Sequence, residues 1–267
     1  MTEKEFIRIQ TFLKGRYGID MTKKKIIVEG RLENYVRMHG WSDYTAYMDA
    51  VESDSSGELE KKLVDLLTTN HTYFMRESEH FDIFRKEVLP WLKEKEKNSR
   101  DLHIWCGASS SGEEPYTLAM VIKDFFGFEH NKWDTQILAT DVSTEILEKA
   151  IEGVYGEEQI EPIPEHWKRR YFRKIPGTDN YMVTDELKKE VLFRKFNLMD
   201  PFPFKRKLHV IFLRNVMIYF DEATKQKLLK KIYDVLEPGG YLFLGQTESL
   251  DRGVIPFKLV QPSVFRK

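Results

Sequence analysis

The sequence predicts an α/β fold with a largely parallel sheet, a helical N-terminal part and a small antiparallel β insertion. From residue 102 to 244, apolar strand patterns alternate with helical patterns, as in βαβ units. The first 70 residues show helical spacing and no strand pattern. Over about 156–195 the alternation gives way to short, irregular segments. We therefore predict a helical domain over 1–75, a linker helix and connection over 76–101, and an α/β domain over 102–267 that contains the insertion.

Length and composition are those of a globular protein. At about 150 residues per domain, 267 residues suit one large domain or one domain with a small partner. Apolar residues make up 41% and the net charge is -1, which argues against disorder and against a general nucleic-acid binder. Cys106 is the single cysteine, so no internal disulfide can form, and the first residues lack a signal-peptide pattern. We expect a cytoplasmic protein.

The sequence predicts neither a membrane span nor a metal site. Its longest apolar runs are far shorter than the roughly 18 residues that indicate a spanning helix. It contains no HExxH and no paired CxxC, and its seven histidines form no close cluster along the chain. We therefore expect no metal cofactor and no direct membrane insertion.

Helical periodicity defines the N-terminal part. Apolar residues recur at helical spacing from Phe6 to Leu13, and again from Leu59 to Leu67. The polar stretch 53–57 indicates a loop between helices, and the charged stretch 93–101 indicates a linker before the sheet.

Strands followed by amphipathic helices define the α/β part. The helix over 221–236 is the clearest, because Asp221 suits an N-cap and the apolar residues form one stripe. A helix that buries such a stripe must lie on a sheet face. The predicted elements are strands over 102–106, 136–139, 208–213 and 241–244, helices over 112–126, after 143 and over 221–236, and a turn over 238–240. Within the insertion we predict a helix over 167–172 and strands over 181–183 and 191–193.

Ligands of open α/β sheets bind at the carboxyl ends of the strands. The first strand is followed by a loop of small residues, 107–112, and then by Glu113 and Glu114. A P-loop needs a lysine where Glu113 stands, a dinucleotide fingerprint needs G-x-G-x-x-G, and a nucleophile elbow needs closer glycines. The loop therefore favours a ligand that carries hydroxyls and positive charge.

Asp141 ends the second strand, where a carboxylate commonly accepts hydrogen bonds from both hydroxyls of a ribose. Alone it could also be a helix N-cap, but beside the small-residue loop the ribose role is favoured.

Arg214 follows a buried strand directly, a costly placement unless it faces a polar site. Arg76 ends a segment rich in amide, hydroxyl and aromatic groups, and its alternative role is a surface ion pair.

Six segments carry a resemblance to a known family. They are TNHTYFMR (69–76), GEEPY (112–116), ATD (139–141), FNL (196–198), RNVMIYFD (214–221) and PGGYLFLG (238–245). In this order they resemble the chemotaxis receptor methyltransferases, the CheR family, across nearly the whole chain. The resemblance implies a Rossmann-like methyltransferase sheet that uses S-adenosylmethionine and releases S-adenosylhomocysteine. It also implies protein-glutamate O-methyltransferase activity on the cytoplasmic helices of methyl-accepting chemotaxis receptors, for adaptation in bacterial chemotaxis.

The resemblance assigns roles to individual residues. Arg76 and Tyr219 would stand at the transferred methyl group as catalytic residues. Asp141 would hold the ribose, and Glu114 would face the methionine end of the cofactor. The other residues implied to bind the cofactor are Asn70, Thr72, Arg76, Gly107, Asn197, Leu198, Asn215 and Val216. Where the family often shows cysteine and threonine in the glycine loop, this chain has small residues at 108–111.

The acceptor needs no general base, because a glutamate side chain with a pKa of about 4.3 is ionised at neutral pH. We expect Arg76 to orient this carboxylate and Tyr219 to shape the point of methyl transfer. Residues 1–40 carry nine basic and five acidic side chains, a net +4 that suits an acidic receptor coiled coil. Lys23, Lys24 and Lys25 are the predicted substrate-binding residues, and the alternative is an ordinary solvated helix surface.

In some relatives the insertion also binds a tethering peptide of the receptor, but the short turn over 174–180 argues against that use here. We expect a monomer.

Two other functions remain open. A non-catalytic module that binds S-adenosylmethionine would need the nucleoside contacts but not Arg76 or Tyr219. A nucleic-acid methyltransferase would show a basic cleft and an [N/D]-P-P-aromatic segment where this chain has 214–217. Cys106 is interpreted as a buried strand residue, not as a nucleophile.

Overall fold

The computed structural model describes residues 1–250 and 255–267. Its N-terminal part is helical, as predicted. In the first helix, α1 (Glu3–Tyr17), the apolar stripe is buried, with Ile9 and Leu13 fully inaccessible. A capping box starts this helix, because the Thr2 hydroxyl accepts from the Glu5 backbone and the Glu5 carboxylate accepts from the Thr2 backbone. The helices are α1 (Glu3–Tyr17), α2 (Lys25–Met38), α3 (Tyr44–Ser53) and α4 (Glu58–Leu67).

A nearly continuous helical run connects the N-terminal part to the sheet. It consists of α5 (Glu79–Ile83), a π-helical turn (Phe84–Val88) and α6 (Leu89–Lys95). Phe81 and Phe84 pack on Phe212 of the sheet, with ring centroids 6.4 and 5.4 Å apart. Helical structure therefore extends into the charged stretch that the sequence indicated as a linker.

The main sheet is largely parallel, as predicted. Its strands are β1 (Ile104–Gly107), β2 (Ile137–Asp141), β6 (Val191–Lys195), β7 (Leu208–Leu213), β8 (Leu236–Leu244), β9 (Lys258–Gln261) and β10 (Val264–Arg266). Their order is β6-β2-β1-β7-β8-β10-β9, with β10 antiparallel to β8 and β9 antiparallel to β10. The register of β1 on β2 pairs Ile104 with Ile137 and Gly107 with Thr140, so both strands end at the same edge.

Two hydrophobic cores lie on the two faces of this sheet. Ile104 and Cys106 face a core that includes α7 (Glu113–Phe126) and the helical run over 79–95. Trp105 faces the other core, which α12 (Glu222–Val235) shares with the N-terminal helices. The N-terminal part is thus packed on the sheet. The remaining helices are α8 (Thr144–Glu152), α9 (Glu157–Ile160), α10 (Glu165–Tyr171) and α11 (Asp185–Lys188), with 3-10 turns at Gly127–Lys132 and Met217–Tyr219.

The insertion is smaller than predicted. Its antiparallel sheet has the order β3-β5-β4, from β3 (Val154–Gly156), β4 (Phe172–Lys174) and β5 (Asn180–Val183). The strand that we placed inside it, at 191–193, belongs to β6 and pairs in parallel with β2. Val191 and Phe193 alternate into the core, and all five residues of β6 pair with β2, from Val191 opposite Ile137 to Lys195 opposite Asp141.

The turn predicted over 238–240 is instead a bulge inside β8. Helix α12 ends at Val235, and Leu236 already pairs with Leu208. The register then shifts so that Val210 pairs with Tyr241. Gly239 has a φ of 82°, and a Cβ on Gly240 would lie 2.8 Å from the His209 carbonyl oxygen, so both glycines are required by geometry.

Over residues 1–250 and 255–267, every helix is too short or too polar to cross a bilayer.

Candidate functional site

A cavity of about 370 Å³ opens where β1, β2 and β7 end. Such a volume is typical of small-molecule sites, and the edge is the one at which α/β sheets bind ligands. The N-terminal part completes the wall with Tyr17, Ile19 and Met21. Ten residues that the sequence analysis assigned to the cofactor or to catalysis line this cavity: Asn70, Thr72, Arg76, Glu114, Asp141, Asn197, Leu198, Asn215, Val216 and Tyr219.

Gly107, assigned to the same site, lies outside this wall. It is the last residue of β1, and a Cβ there would lie 2.9 Å from Leu213 Cδ1 and 3.1 Å from the Trp105 ring. The structure therefore explains its small size by packing between neighbouring side chains. The sequence could not separate this from a ligand role, because both require glycine.

Asp141 is buried at the end of β2. Its Oδ2 accepts from the Ser110 backbone N–H at 2.9 Å, and its Oδ1 accepts from the Ser143 backbone N–H at 3.0 Å. Burial raises the pKa of this carboxyl, although the backbone hydrogen bonds act in the opposite direction. Asp141 is not the N-cap of α8, since Ser143 holds that position and accepts from the Ile146 N–H. A carboxylate has about four acceptor sites, so two remain for a diol.

The loop after β1 is held in a strained conformation. Ala108 and Ser110 have φ values of 54° and 50°, which cost of order 1–3 kcal/mol for a non-glycine residue. Such strain concentrates at this cavity. Of the seven non-glycine residues with positive φ in the described part of the chain, Ala108, Ser110 and Asn215 line the cavity, and Met75 and Glu77 flank the lining residue Arg76.

Arg214 is buried and forms an ionic network with two partly buried carboxylates, which sequence reasoning did not resolve. Its Nη1 donates to Glu114 Oε2 at 2.6 Å, and its Nη2 lies 3.2 Å from Glu77 Oε2. The same Nη2 donates to the Arg76 carbonyl oxygen, which ties the Arg76 backbone to the end of β7. Burial acts to raise the pKa of Glu77, but hydrogen bonds from Asn215 and Arg214 outweigh it, and the pKa is lowered.

Glu114 is held from both sides. One carboxylate oxygen bonds to Arg214, and the other accepts from the Cys106 thiol at 3.2 Å. Cys106 is fully buried in β1, and burial raises its pKa well above the usual value, so the interpretation as a buried strand residue is confirmed.

Glu248 supports the cavity wall, a role that the sequence analysis did not predict. Its buried carboxylate accepts from the backbone N–H of Asn215 at 2.9 Å, of Gly245 at 2.7 Å and of Ile218 at 3.3 Å. Burial raises the pKa of this carboxyl. Glu248 therefore fixes the segment that carries Asn215 and Val216.

Arg76 and Tyr219 stand on the wall of the same cavity. Arg76 Nη1 donates to the His71 carbonyl at 2.8 Å, and its guanidinium lies 5.7 Å from the centre of the Tyr73 ring. Within residues 1–250 and 255–267 no carboxylate forms an ion pair with Arg76, so the surface-pair alternative finds no support there. Tyr219 Oη donates to the Thr69 carbonyl at 3.4 Å.

The N-terminal part also forms hydrogen bonds with two residues of the cavity wall, Tyr219 and Asn197. The Asp20 N–H donates to the Tyr219 carbonyl at 2.8 Å. The side-chain amide of Asn197 donates to the Arg16 carbonyl at 2.8 Å and accepts from the Met199 N–H at 3.0 Å. Asn197 therefore lines the cavity with its amide already engaged, and it joins the sheet to α1.

The three lysines lie outside the cavity wall, at the start of α2. Lys24 Nζ is 5.3 Å from the centre of the Tyr219 ring, and Lys25 forms an ion pair with Glu3 at 2.9 Å. The positive excess of residues 1–40 is also smaller at the surface than their count indicates. Three of the basic residues pair with acids from elsewhere: Arg8 with Asp49 and Glu52, Lys14 with Asp221, and Arg16 with Glu60.

One group of potential metal ligands lies away from the cavity, formed by Glu96, His209 and Glu237. His209 Nδ1 accepts from the His103 backbone N–H at 2.9 Å, which assigns the ring proton to Nε2, the atom that faces the two carboxylates. Lys95 Nζ bonds to both Glu237 and Glu96. Nε2 lies 3.4 Å from Glu96 Oε1 and 3.7 Å from Glu237 Oε2, and a protonated Nε2 cannot ligate a metal.

Comparison with known proteins covers nearly the whole chain. The family model described as the CheR methyltransferase SAM binding domain matches residues 70–265, and the CheR methyltransferase all-alpha domain matches residues 4–68. The chemotaxis protein methyltransferase of Borreliella burgdorferi is 39% identical over 273 residues, covering 100% of this chain and 95% of the relative.

Two further relatives are likewise named as chemotaxis protein methyltransferases. A probable chemotaxis protein methyltransferase of Rhizobium etli is 35% identical, over 86% of this chain and 87% of its own. The chemotaxis protein methyltransferase of Escherichia coli is 33% identical, over 93% and 85%. The cavity at the strand ends and these matches lead to one conclusion: the chain is an S-adenosylmethionine-dependent methyltransferase that belongs to the CheR family.

Proposed function

We propose that this enzyme methylates glutamate side chains on the cytoplasmic helices of chemoreceptors, forming glutamyl methyl esters and S-adenosylhomocysteine. The observation that carries the proposal is the position of Arg76 and Tyr219 on the wall of the cavity that contains Asp141. A guanidinium forms charge-assisted, often bidentate hydrogen bonds with a carboxylate. Arg76 is therefore suited to receive an acidic side chain beside the cofactor.

The donors and acceptors around the cavity fit S-adenosylmethionine. Asp141 retains acceptor sites for the ribose hydroxyls, and the Glu114 carboxylate faces the positive end of a methionine moiety. The ionic group of Arg214, Glu77 and Glu114 carries one negative charge in excess, which complements a cationic ligand. When bound, the cofactor supplies a methyl group on a positively charged sulfur. The remaining residues proposed to hold it are Asn70, Thr72, Asn197, Leu198, Asn215 and Val216.

Catalysis by the chain's own residues is then mainly a matter of positioning. The acceptor carboxylate is already ionised at neutral pH, so no residue has to remove a proton. Holding two reactants in line contributes about 7 to 11 kcal/mol of barrier reduction in favourable cases. Arg76 orients the carboxylate, and Tyr219, held through its hydroxyl and its backbone, shapes the transfer point. The Arg76 contact must stay moderate, because too strong a salt bridge would lower the nucleophilicity of the carboxylate.

The N-terminal helical domain, over 1–75, is proposed to contact the receptor through Lys23 and Lys24, with Lys25 already paired to Glu3. The stretch 76–101 then acts as a connection to the catalytic domain over 102–267. We propose that the enzyme acts as a monomer in the cytoplasm. Acidic receptor helices would be attracted to the start of α2, beside the Tyr219 ring.

The test is incubation of the enzyme with radiolabelled S-adenosylmethionine and membranes that contain chemoreceptors. Label should appear on the receptor and should be released by mild base as volatile methanol, because a glutamyl methyl ester is base-labile. Arg76→Ala should lower this activity about 10- to 100-fold, whereas Arg85→Ala, at an ion pair with Asp124, should retain it. Base-stable label, or label on nucleic acid, would contradict the proposal.

A further inference from the structure

Arg31 of α2 makes three hydrogen bonds to the end of α4. Its Nη1 donates to the carbonyl oxygens of Leu67 and Thr68, both at 2.9 Å. Its Nη2 donates to Thr69 Oγ1 at 2.9 Å. The last carbonyls of a helix have no partner within it, and positive charge is favourable at that end of the helix dipole. Arg31 therefore caps α4 from a neighbouring helix.

The residues that Arg31 holds lead directly into the cofactor cavity. Leu67, Thr68 and Thr69 all line it, as does Asn70. The Thr69 carbonyl accepts from Tyr219 Oη at 3.4 Å, and the Asn70 carbonyl accepts from Ser110 Oγ at 2.9 Å. This short segment is thus gripped on one side by α2 and on the other by two parts of the cavity wall.

We propose that Arg31 is a positioning residue for the cofactor site: it orders the segment over 67–70 and, through Thr69, the hydroxyl of Tyr219. This role differs from that of the basic residues proposed to meet the receptor, because the Arg31 guanidinium is engaged by acceptors of the chain itself. The inference rests on the binding of S-adenosylmethionine in this cavity. It does not depend on which carboxylate is methylated.

Arginine is required for this arrangement. A planar guanidinium presents several donors in fixed directions, whereas the lysine ammonium is a compact point charge on a flexible stem. Arg31→Lys therefore keeps the charge but cannot hold three acceptors on successive residues in the same way. If only the positive charge mattered, as in receptor docking, lysine would substitute well.

The experiment measures binding of S-adenosylhomocysteine by calorimetry in the absence of receptor. Arg31→Ala should weaken binding about tenfold, since a hydrogen bond from a charged group contributes roughly one such factor. Arg31→Lys should recover only part of the loss. Arg37→Ala is the matched control on the same helix, where the guanidinium reaches only Asn34 Oδ1, at 3.3 Å, among its described contacts. It should leave affinity unchanged.

Thr69→Val is a second variant that tests the proposal. It removes the Oγ1 acceptor, preserves the side-chain volume and leaves Arg31 in place. It should also weaken binding. In the double variant with Arg31→Lys, the loss of binding free energy should be smaller than the sum of the two single losses, because both changes remove the same contact between Arg31 and Thr69 Oγ1. Melting temperatures monitor folding. Undiminished affinity in folded Arg31→Ala and Thr69→Val, with only the KM for receptor raised, would overturn the proposal and mark Arg31 as a docking residue. Loss of receptor methylation alone would bear on the proposed function, not on this inference.

Discussion

Replacing Asp141 with alanine should weaken the binding of S-adenosylhomocysteine by about a hundredfold or more. The Asp141 carboxylate is buried and uses two acceptor sites on the backbone of Ser110 and Ser143. The two that remain would each accept from a ribose hydroxyl, and a hydrogen bond to a charged group contributes about 1.5–3 kcal/mol. Two such bonds amount to at least about 3 kcal/mol, and about 1.4 kcal/mol corresponds to a factor of ten.

The assay is titration calorimetry on the folded variant, with its stability measured in parallel. Asp141→Ala also leaves two backbone N–H groups without their acceptor, so a lower melting temperature is expected. Ser143→Ala controls for that effect, because it removes the α8 N-cap, at a cost of about 1 kcal/mol, and leaves the carboxylate intact. It should retain the affinity. Unchanged affinity in a folded Asp141→Ala protein would refute the ribose role.

Three further predictions concern catalysis, docking and stability. Arg76→Ala should lower turnover by about 10- to 100-fold in steady-state methylation assays while S-adenosylhomocysteine affinity persists, and equal loss of both would identify Arg76 as a cofactor ligand instead. Charge reversal of Lys23 and Lys24 should raise the KM for receptor, most at low salt; a salt-independent or absent effect would favour an ordinary solvated surface. Burial, and then the charge of Arg214, lower the pKa of His80 to about 4. Because an unfolded histidine has a pKa of about 6.5, the stability conferred by the neutral ring is complete above that pH and is lost as the pH falls toward 4. Chemical unfolding at about pH 7 and about pH 4.5 should thus show a smaller acid loss for His80→Phe than for the wild type, and parallel losses would contradict this.

The parts of the fold that the sequence predicted are those encoded by local pattern. The buried stripe from Phe6 to Leu13 and the N-cap at Asp221 depend on residues within a few positions of one another. Asp141 and the loop over 108–110 could be brought together because the carboxyl ends of parallel strands share one sheet edge. The motif segments then added Asn70, Arg76 and Tyr219 to the same cavity through the family resemblance.

The parts that were missed depend on contacts distant in sequence. Arg214 was recognised as costly to bury, but its partners lie 100 and 137 residues away, and no local pattern identifies Glu114 or Glu77 as its acceptors. Glu248 likewise reaches back 33 residues to Asn215. Such pairings follow from tertiary packing, which also placed the strand at 191–195 in the main sheet.

Charge counting gave an incomplete account of the surface that is proposed to face the receptor, for the same reason. The excess of basic residues over 1–40 is a property of one segment, whereas ion pairs join residues from different parts of the fold. Lys14 is paired with Asp221 of the catalytic domain, and Arg31 is occupied by the end of α4. Lys23 and Lys24 remain the better candidates for contact with an acidic partner.

The central claim is tested most directly by mass spectrometry of receptor peptides after reaction with S-adenosylmethionine whose methyl group carries deuterium. We predict that labelled methyl is found on glutamate side chains of the receptor's cytoplasmic helices, and that it accumulates about 10- to 100-fold more slowly when Arg76→Ala enzyme is used. Label confined to lysine, arginine or terminal amines, or receptor peptides that stay unmodified while the enzyme binds the cofactor, would contradict the account.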